Sequence, residues 1–124
     1  MTSDAPSRDP AGLRILVAED EALIAMALGA ELGDLGAEVV GPAKTLARAR
    51  DLAGSEPLDG AILDIDLRGE LVYPAAEILA ARGVPFVFCS GRGGRAESKD
   101  RFPGVATISK PASAPELMAA LFDR

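Results

Sequence analysis

The chain reads as a doubly wound α/β protein, a five-stranded parallel sheet with helices on both faces. Three observations point there. Five short apolar segments rich in branched residues are spread along 124 residues, stretches of helical apolar spacing separate them, and glycine or proline marks most of the joins. Strands connected through helices pair in parallel by right-handed crossovers and are covered on both sides.

Residues 1–12 are polar and form an expected flexible leader, and 13–124 form one domain. Arg14-Ile-Leu-Val-Ala18 is a continuous apolar run too short for a helix, which makes it a buried first strand. It ends at Glu19-Asp20-Glu21. From Ala22 onward Leu23, Met26, Ala27, Ala30 and Leu35 recur at helical spacing, and Gly36 supplies a residue that tolerates positive φ at the helix end. Val39-Val40 before Gly41-Pro42 is a short second strand. Thr45 caps a second helix carrying Leu46, Ala49, Leu52 and Ala53 as far as Gly54, and Ala61-Ile-Leu63 is a third strand ending at Asp64.

The spacing predicts a third helix over Tyr73–Arg82, with Ala76, Ile78, Leu79 and Ala80 apolar and Gly83 as terminator. Pro85-Phe-Val-Phe-Cys89 is the fourth strand. Glycine and charge in 91–104 give low helix propensity, so the fourth helix is expected to be weak or short. Val105–Ser109 is the fifth strand, and Ser113 with Glu116 three residues on reads as a capping box opening a final helix through Leu117, Leu121 and Phe122.

Composition limits the chemistry. There is no histidine, so a Ser-His-Asp triad, a Cys-His dyad, histidine-ligated zinc and a phosphohistidine on this chain are all excluded. The lone Cys89 makes neither an intrachain disulfide nor a cysteine-rich metal site, and a reducing compartment is expected. No signal-peptide pattern opens the chain and no apolar run approaches the roughly 20 residues of a membrane span, so a cytoplasmic protein away from membranes is expected. A net charge of −6 argues against a nucleic-acid partner.

In open α/β sheets the sites lie beyond the carboxyl ends of the strands. Glu19 and Asp20, Asp64, Ser90 and Lys110 all follow strands and are therefore expected at one sheet edge. Acids at a helix start also serve the helix dipole alone. Three converging carboxylates nevertheless repel, and a hard divalent cation, Mg2+, relieves them. Lys110 and the Ser90 hydroxyl suit phosphoryl oxygens, and Asp64, central among them, is the candidate nucleophile.

Leu16-Val-Ala-Glu-Asp-Glu21, Ala61-Ile-Leu-Asp-Ile-Asp-Leu67, Phe88-Cys-Ser-Gly91 and Ser109-Lys-Pro111 resemble the receiver domains of two-component response regulators over residues 13–124. The resemblance implies the strand order 2-1-3-4-5 and makes Asp64 the phosphoacceptor. The phosphoryl group would come from a histidine kinase or a histidine phosphotransfer protein. Mg2+ would be held by Asp20, Asp64 and the main-chain carbonyl of Asp66, with Glu19 assisting through water. Ser90 and Lys110 would hold phosphoryl oxygens, and Lys110–Pro111 would be a cis peptide.

The chain is most similar to single-domain receivers with a Phe-Ala-Thr-Gly motif after the fourth strand, but carries Cys89 and Ser90 in place of alanine and threonine. Thr107 stands where most receivers have an aromatic switch residue, which points to a different switch. Asp66 and Arg92 flank the site as modulators. Asp64-x-Asp66 also resembles the nucleophile motif of haloacid-dehalogenase-type phosphatases, although Arg68 and the early position of Glu19-Asp20 depart from that pattern. A third reading is a receiver-like adaptor that is never phosphorylated. The expectation is a stand-alone, monomeric or weakly dimeric receiver with no output domain. It would signal through a non-covalent downstream protein or act as a phosphate sink, and would catalyse only its own phosphorylation and dephosphorylation.

Overall fold

The computed structural model describes residues 11–91 and 95–122, apart from the side chains of Arg95 and Ala96. Seven strands and five helices occur among them: β1 (Arg14–Ala18), α1 (Ala22–Asp34), β2 (Glu38–Ala43), α2 (Leu46–Ser55), β3 (Gly60–Asp64), β4 (Asp66–Leu67), β5 (Glu70–Leu71), α3 (Tyr73–Arg82), β6 (Phe86–Ser90), α4 (Arg95–Arg101), β7 (Thr107–Ser109) and α5 (Ala114–Phe122). The main sheet runs β2-β1-β3-β6-β7, which is 2-1-3-4-5 when only its own strands are counted. All four pairings are parallel. Most of the expected leader, residues 1–10, lies outside the described residues.

Two apolar layers sandwich the sheet. Leu16, Leu63, Phe86 and Phe88 meet α2 and α3 on one face, while Ile15, Val17, Ile62 and Val87 meet α1 and α5 on the other. The alternation along β1, β3 and β6 is the two-residue period of a strand buried on both sides. Tyr73, Phe86, Phe88 and Phe102 form one aromatic cluster, with Tyr73 edge-on to Phe88 at 5.6 Å between ring centroids.

Local signals worked where side chains act on their own neighbours. The Thr45 hydroxyl accepts the Arg48 N–H at 3.2 Å, Gly83 ends α3 at φ 75°, and Ser113 Oγ accepts the Glu116 N–H at 3.3 Å. Two expectations about the strands need correction, and the structure adds one strand pair. The second strand is longer than Val39-Val40, because it continues through Gly41, which sits at φ 107° with its Cα so close to the Val17 carbonyl that a Cβ would come within 2.9 Å of that oxygen. The fifth strand is shorter than Val105–Ser109. The segment after Asp64 folds as the antiparallel hairpin β4–β5, turning at Arg68 (φ 55°) and Gly69 (φ 88°).

A third correction concerns α1. Its buried residues are Ala25, Leu28 and Leu32, whereas Leu23 (80% exposed) and Met26 (69%) face outward with Ala27 and Ala30. The helix is apolar on more than one side, and the stripe nearest its N-terminus is the outer one. Leu32→Ala is therefore expected to cost about 2–5 kcal/mol in chemical denaturation, whereas Leu23→Ala should stay within about 0.5 kcal/mol. Equal losses would mean that the helix is rotated from this orientation.

Candidate functional site

Parallel pairing delivers the polar residues that follow β1, β3, β6 and β7 to one edge. Register places Ala18 beside Leu63, Asp64 beside Cys89, and Ser90 beside Ser109. Lys110 follows directly, its N–H donating to the Ser90 carbonyl at 3.0 Å, and its peptide bond to Pro111 is cis. Carboxylate oxygens of Glu19, Asp20 and Asp64 lie within 4.8 Å of one another. Glu19 (4% exposed), Asp64 (6%) and Ser90 (8%) are buried.

Among the described residues, Lys110 holds two of these three carboxylates. Lys110 Nζ lies 2.8 Å from Asp64 Oδ2 and 3.0 Å from Glu19 Oε1, with Glu21 Oε1 at 4.0 Å. Burial works to lower the Lys110 pKa, but hydrogen bonds and charge from Asp64 and Glu19 outweigh it, so the ammonium stays protonated well above its usual range. Burial pushes the Glu19 carboxyl up, against the Glu21 N–H and Lys110, which both favour the charged form.

Backbone donors complete the arrangement. The Glu21 N–H donates to Glu19 Oε2 at 3.0 Å, the Asp66 N–H to Asp64 Oδ1 at 3.3 Å, and the Arg68 N–H to Asp20 Oδ2 at 3.0 Å. The Asp66 side chain is exposed and accepts the Gly69 N–H at 2.7 Å, so it closes the hairpin turn and is not among the three clustered carboxylates. Arg92 lies outside the described residues. Thr107 on β7 bonds to Ser98 of α4, with 2.9 Å between the hydroxyl oxygens.

Sequence reasoning missed Ser98, the Arg68 amide and Glu31. Glu31 reaches from α1 to accept the Ala114 N–H at 2.6 Å and caps α5 across the fold. Only Ser98 left a trace in the sequence, lying four residues before Phe102 and so on the same helical face. Above the acids, a cleft of about 480 Å³ runs between α1 and the start of α5, lined by Ile24, Ala27, Leu28 and Leu117.

No protein-family model matches the chain. It is 34% identical over 123 residues to the transcriptional regulatory protein PdtaR of Mycobacterium tuberculosis, covering 97% of this chain and 59% of that protein, so it spans under two thirds of that relative's length. It is 39% identical to the solved structure of SdrG from Sphingomonas melonis Fr1, covering 92% of this chain and 98% of that one at a TM-score of 0.72. The receiver domain of the sensor histidine kinase PA1611 from Pseudomonas aeruginosa PAO1, solved with magnesium in its active-site cleft, matches at 25% identity and a TM-score of 0.75 over 90% of this chain and 95% of that one. The chain belongs to the response regulator receiver family. No helix among the described residues of this receiver is long and apolar enough to cross a membrane.

Cys89 lines the cleft, and burial, followed by the Asp64 charge, pushes its thiol up to about 12. At pH 8 a thiol-reactive disulfide reagent should label the native receiver at least tenfold more slowly than the urea-unfolded chain, because the thiolate is the reacting form. Equal rates would show Cys89 to be open and ionised.

Proposed function

We propose that this receiver accepts a phosphoryl group on Asp64 from the phosphohistidine of a histidine kinase or a histidine phosphotransfer protein, in a Mg2+-dependent reaction. The observation that carries the reading is the Lys110 ammonium placed 2.8 Å from Asp64 and 3.0 Å from Glu19 beside a third carboxylate. Three clustered carboxylates are hard oxygen donors that suit Mg2+, and Asp20, Asp64 and Glu19 are the residues that would hold it, with the Asp66 carbonyl as a further donor. Bound there, the ion offsets the negative charge of an anionic phosphoryl group meeting anionic acids.

The chain's own residues account for the rest. An Asp64 oxygen attacks phosphorus, the new O–P bond forms as the donor's N–P bond breaks, and the imidazole nitrogen leaves with the electron pair. Lys110, held protonated, trades its contact with Asp64 for phosphoryl oxygens, and the Ser90 hydroxyl donates to another. This chain has no histidine, so the donor histidine is a partner's. Leu23, Ile24 and Met26 present an apolar patch at the start of α1, directly after the acids, where such a partner has to approach.

Residues 13–124 are the phosphoaccepting unit of this reading, placed in the cytoplasm and acting through a downstream protein or as a phosphate sink. Asp66 works against the phosphatase alternative, since its carboxylate is committed to the hairpin turn.

With acetyl phosphate and Mg2+, mass spectrometry should find one base-labile phosphate on Asp64. Asp64→Asn should reduce labelling to background, and removing Mg2+ with a chelator should do the same. Labelling of the variant equal to the parent overturns the assignment, repeated turnover of phosphomonoesters favours the phosphatase, and no labelling favours the adaptor. In thermal melts Mg2+ should raise the Tm of the parent, while Asp20→Asn, which relieves like-charge repulsion in the metal-free protein, should melt at or above the metal-free parent and gain little from Mg2+. A gain equal to the parent's would remove Asp20 from the site.

A further inference from the structure

Helix α4 is seven residues long and mostly charged, with the sequence RAESKDR. A helix this short has no stability of its own in water, so contacts with the rest of the fold set its position. Beside an Arg101–Glu77 ion pair at 3.6 Å, three such contacts stand out among the described residues. Phe102, at its C-terminal end, joins the aromatic cluster of Tyr73, Phe86 and Phe88. The Arg101 guanidinium lies 4.6 Å from the centre of the Tyr73 ring. Ser98, 1% exposed, shares a hydrogen bond with Thr107 on β7 at 2.9 Å. The first two anchor the end of the helix, and the third pins its middle to a sheet strand.

That strand residue stands beside the site. In the β6–β7 register Phe88 pairs with Thr107 and Ser90 with Ser109. By the two-residue period, Phe88, Ser90, Thr107 and Ser109 all point to the same sheet face, the one α4 covers. Thr107 is thus the diagonal neighbour of Ser90, the hydroxyl that meets the phosphoryl group in the function proposed above.

We propose that the Ser98–Thr107 hydroxyl pair is a latch that holds α4 on the sheet in the unphosphorylated receiver, and that it opens when Ser90 moves toward a phosphoryl group on Asp64. Drawn toward the acids, the Ser90 side chain leaves space on the face it shares with Thr107. Threonine occupies discrete staggered χ1 states, so Thr107 follows by changing rotamer and does not drift continuously. Ser98 does not track the Thr107 hydroxyl, because Phe102 and Arg101 hold the C-terminal end of its helix and leave the rest to swing only about that end. The hydroxyl pair separates and the middle of α4 shifts.

The proposal rests on Asp64 as acceptor, and the experiment separates the two claims. Beryllofluoride with Mg2+ serves as the phosphoryl mimic, with binding followed by fluorine NMR and α4 by the backbone amide shifts of residues 95–101. In the parent, binding should move these amides. Without the mimic, Thr107→Val and Ser98→Ala should already displace them toward the bound positions, while Thr107→Ser, which keeps the hydroxyl, should leave them at the free positions. Because the open state no longer requires a bond to be broken, both latch variants should bind beryllofluoride about two- to tenfold more tightly, the equivalent of one net hydrogen bond. A contact that only supports the fold would leave affinity unchanged or weaken it. Binding that leaves 95–101 unmoved, or latch variants with parental affinity and parental shifts, overturns the latch alone. Failure of the parent to bind beryllofluoride overturns both the acceptor reading and the latch.

Discussion

Lys110 sits where the energetic conflict of this molecule is concentrated. A parallel sheet sends the polar ends of its strands to one edge, and here those ends carry Glu19 and Asp64, both nearly buried and both within 3.0 Å of the same ammonium. Without that ammonium, two carboxylates would face each other away from water, an arrangement that costs several kcal/mol when a buried charge loses its partner, roughly 3–5 kcal/mol. The acids come from β1 and β3 and the lysine from the far end of the sheet after β7. The site is therefore complete only when the four strands β1, β3, β6 and β7 hold their register. A one-residue slip would turn each side chain to the opposite face.

The same arrangement ties the charge states of these groups together. Lys110 is protonated because Asp64 and Glu19 surround it, and they tolerate burial because it is there. In the function proposed above, a phosphoryl group on Asp64 and a cation among the acids would each compete with these contacts. The backbone contributes in the same sense. The Arg68 N–H on Asp20 and the Asp66 N–H on Asp64 tie two of the three acids to the β4–β5 hairpin, so a change of charge at the acids reaches the hairpin through single hydrogen bonds. Cys89, one residue before Ser90 and facing the opposite side of the sheet, stays protonated and packs as a small apolar group.

The sheet was legible because strands buried on both faces have no competing reading. Ile15–Ala18, Ala61–Leu63 and Phe86–Phe88 are apolar without interruption, and the caps at Thr45 and Ser113 act on residues three positions away. The polar edge followed from topology alone, since strands that run parallel must end together. What remained hidden depended on tertiary contacts. The β4–β5 hairpin has two-residue strands and turns at Arg68, a residue with no local preference for φ 55°. Gly41 extends β2 only because the Val17 carbonyl approaches it closely. Helix α1 carries alanine and leucine around much of its circumference, so periodicity marks it as a helix without saying which stripe turns inward. Leu28 and Leu32 are buried because they meet β1 and α5, which no local pattern records.

The two sides of the sheet consequently face different demands. On the α1 and α5 side, the outward apolar residues Leu23 and Met26 lie within a turn or two of Glu19 and Asp20, so the helix that begins at the acids also carries an exposed apolar patch. On the other side, α4 is held by a few identifiable contacts, and one of them, Thr107 to Ser98, involves a strand residue diagonal to Ser90. Ser90 belongs to both arrangements, because its side chain points to the α4 face while its carbonyl accepts the Lys110 N–H. A displacement of β6 at Ser90 therefore moves the backbone that carries Lys110 and disturbs the neighbour of Thr107 together. Close packing leaves no room for one of these to change without the other. The coupling proposed between acid site and helix surface would run through two strands in register, with no long chain of intermediates.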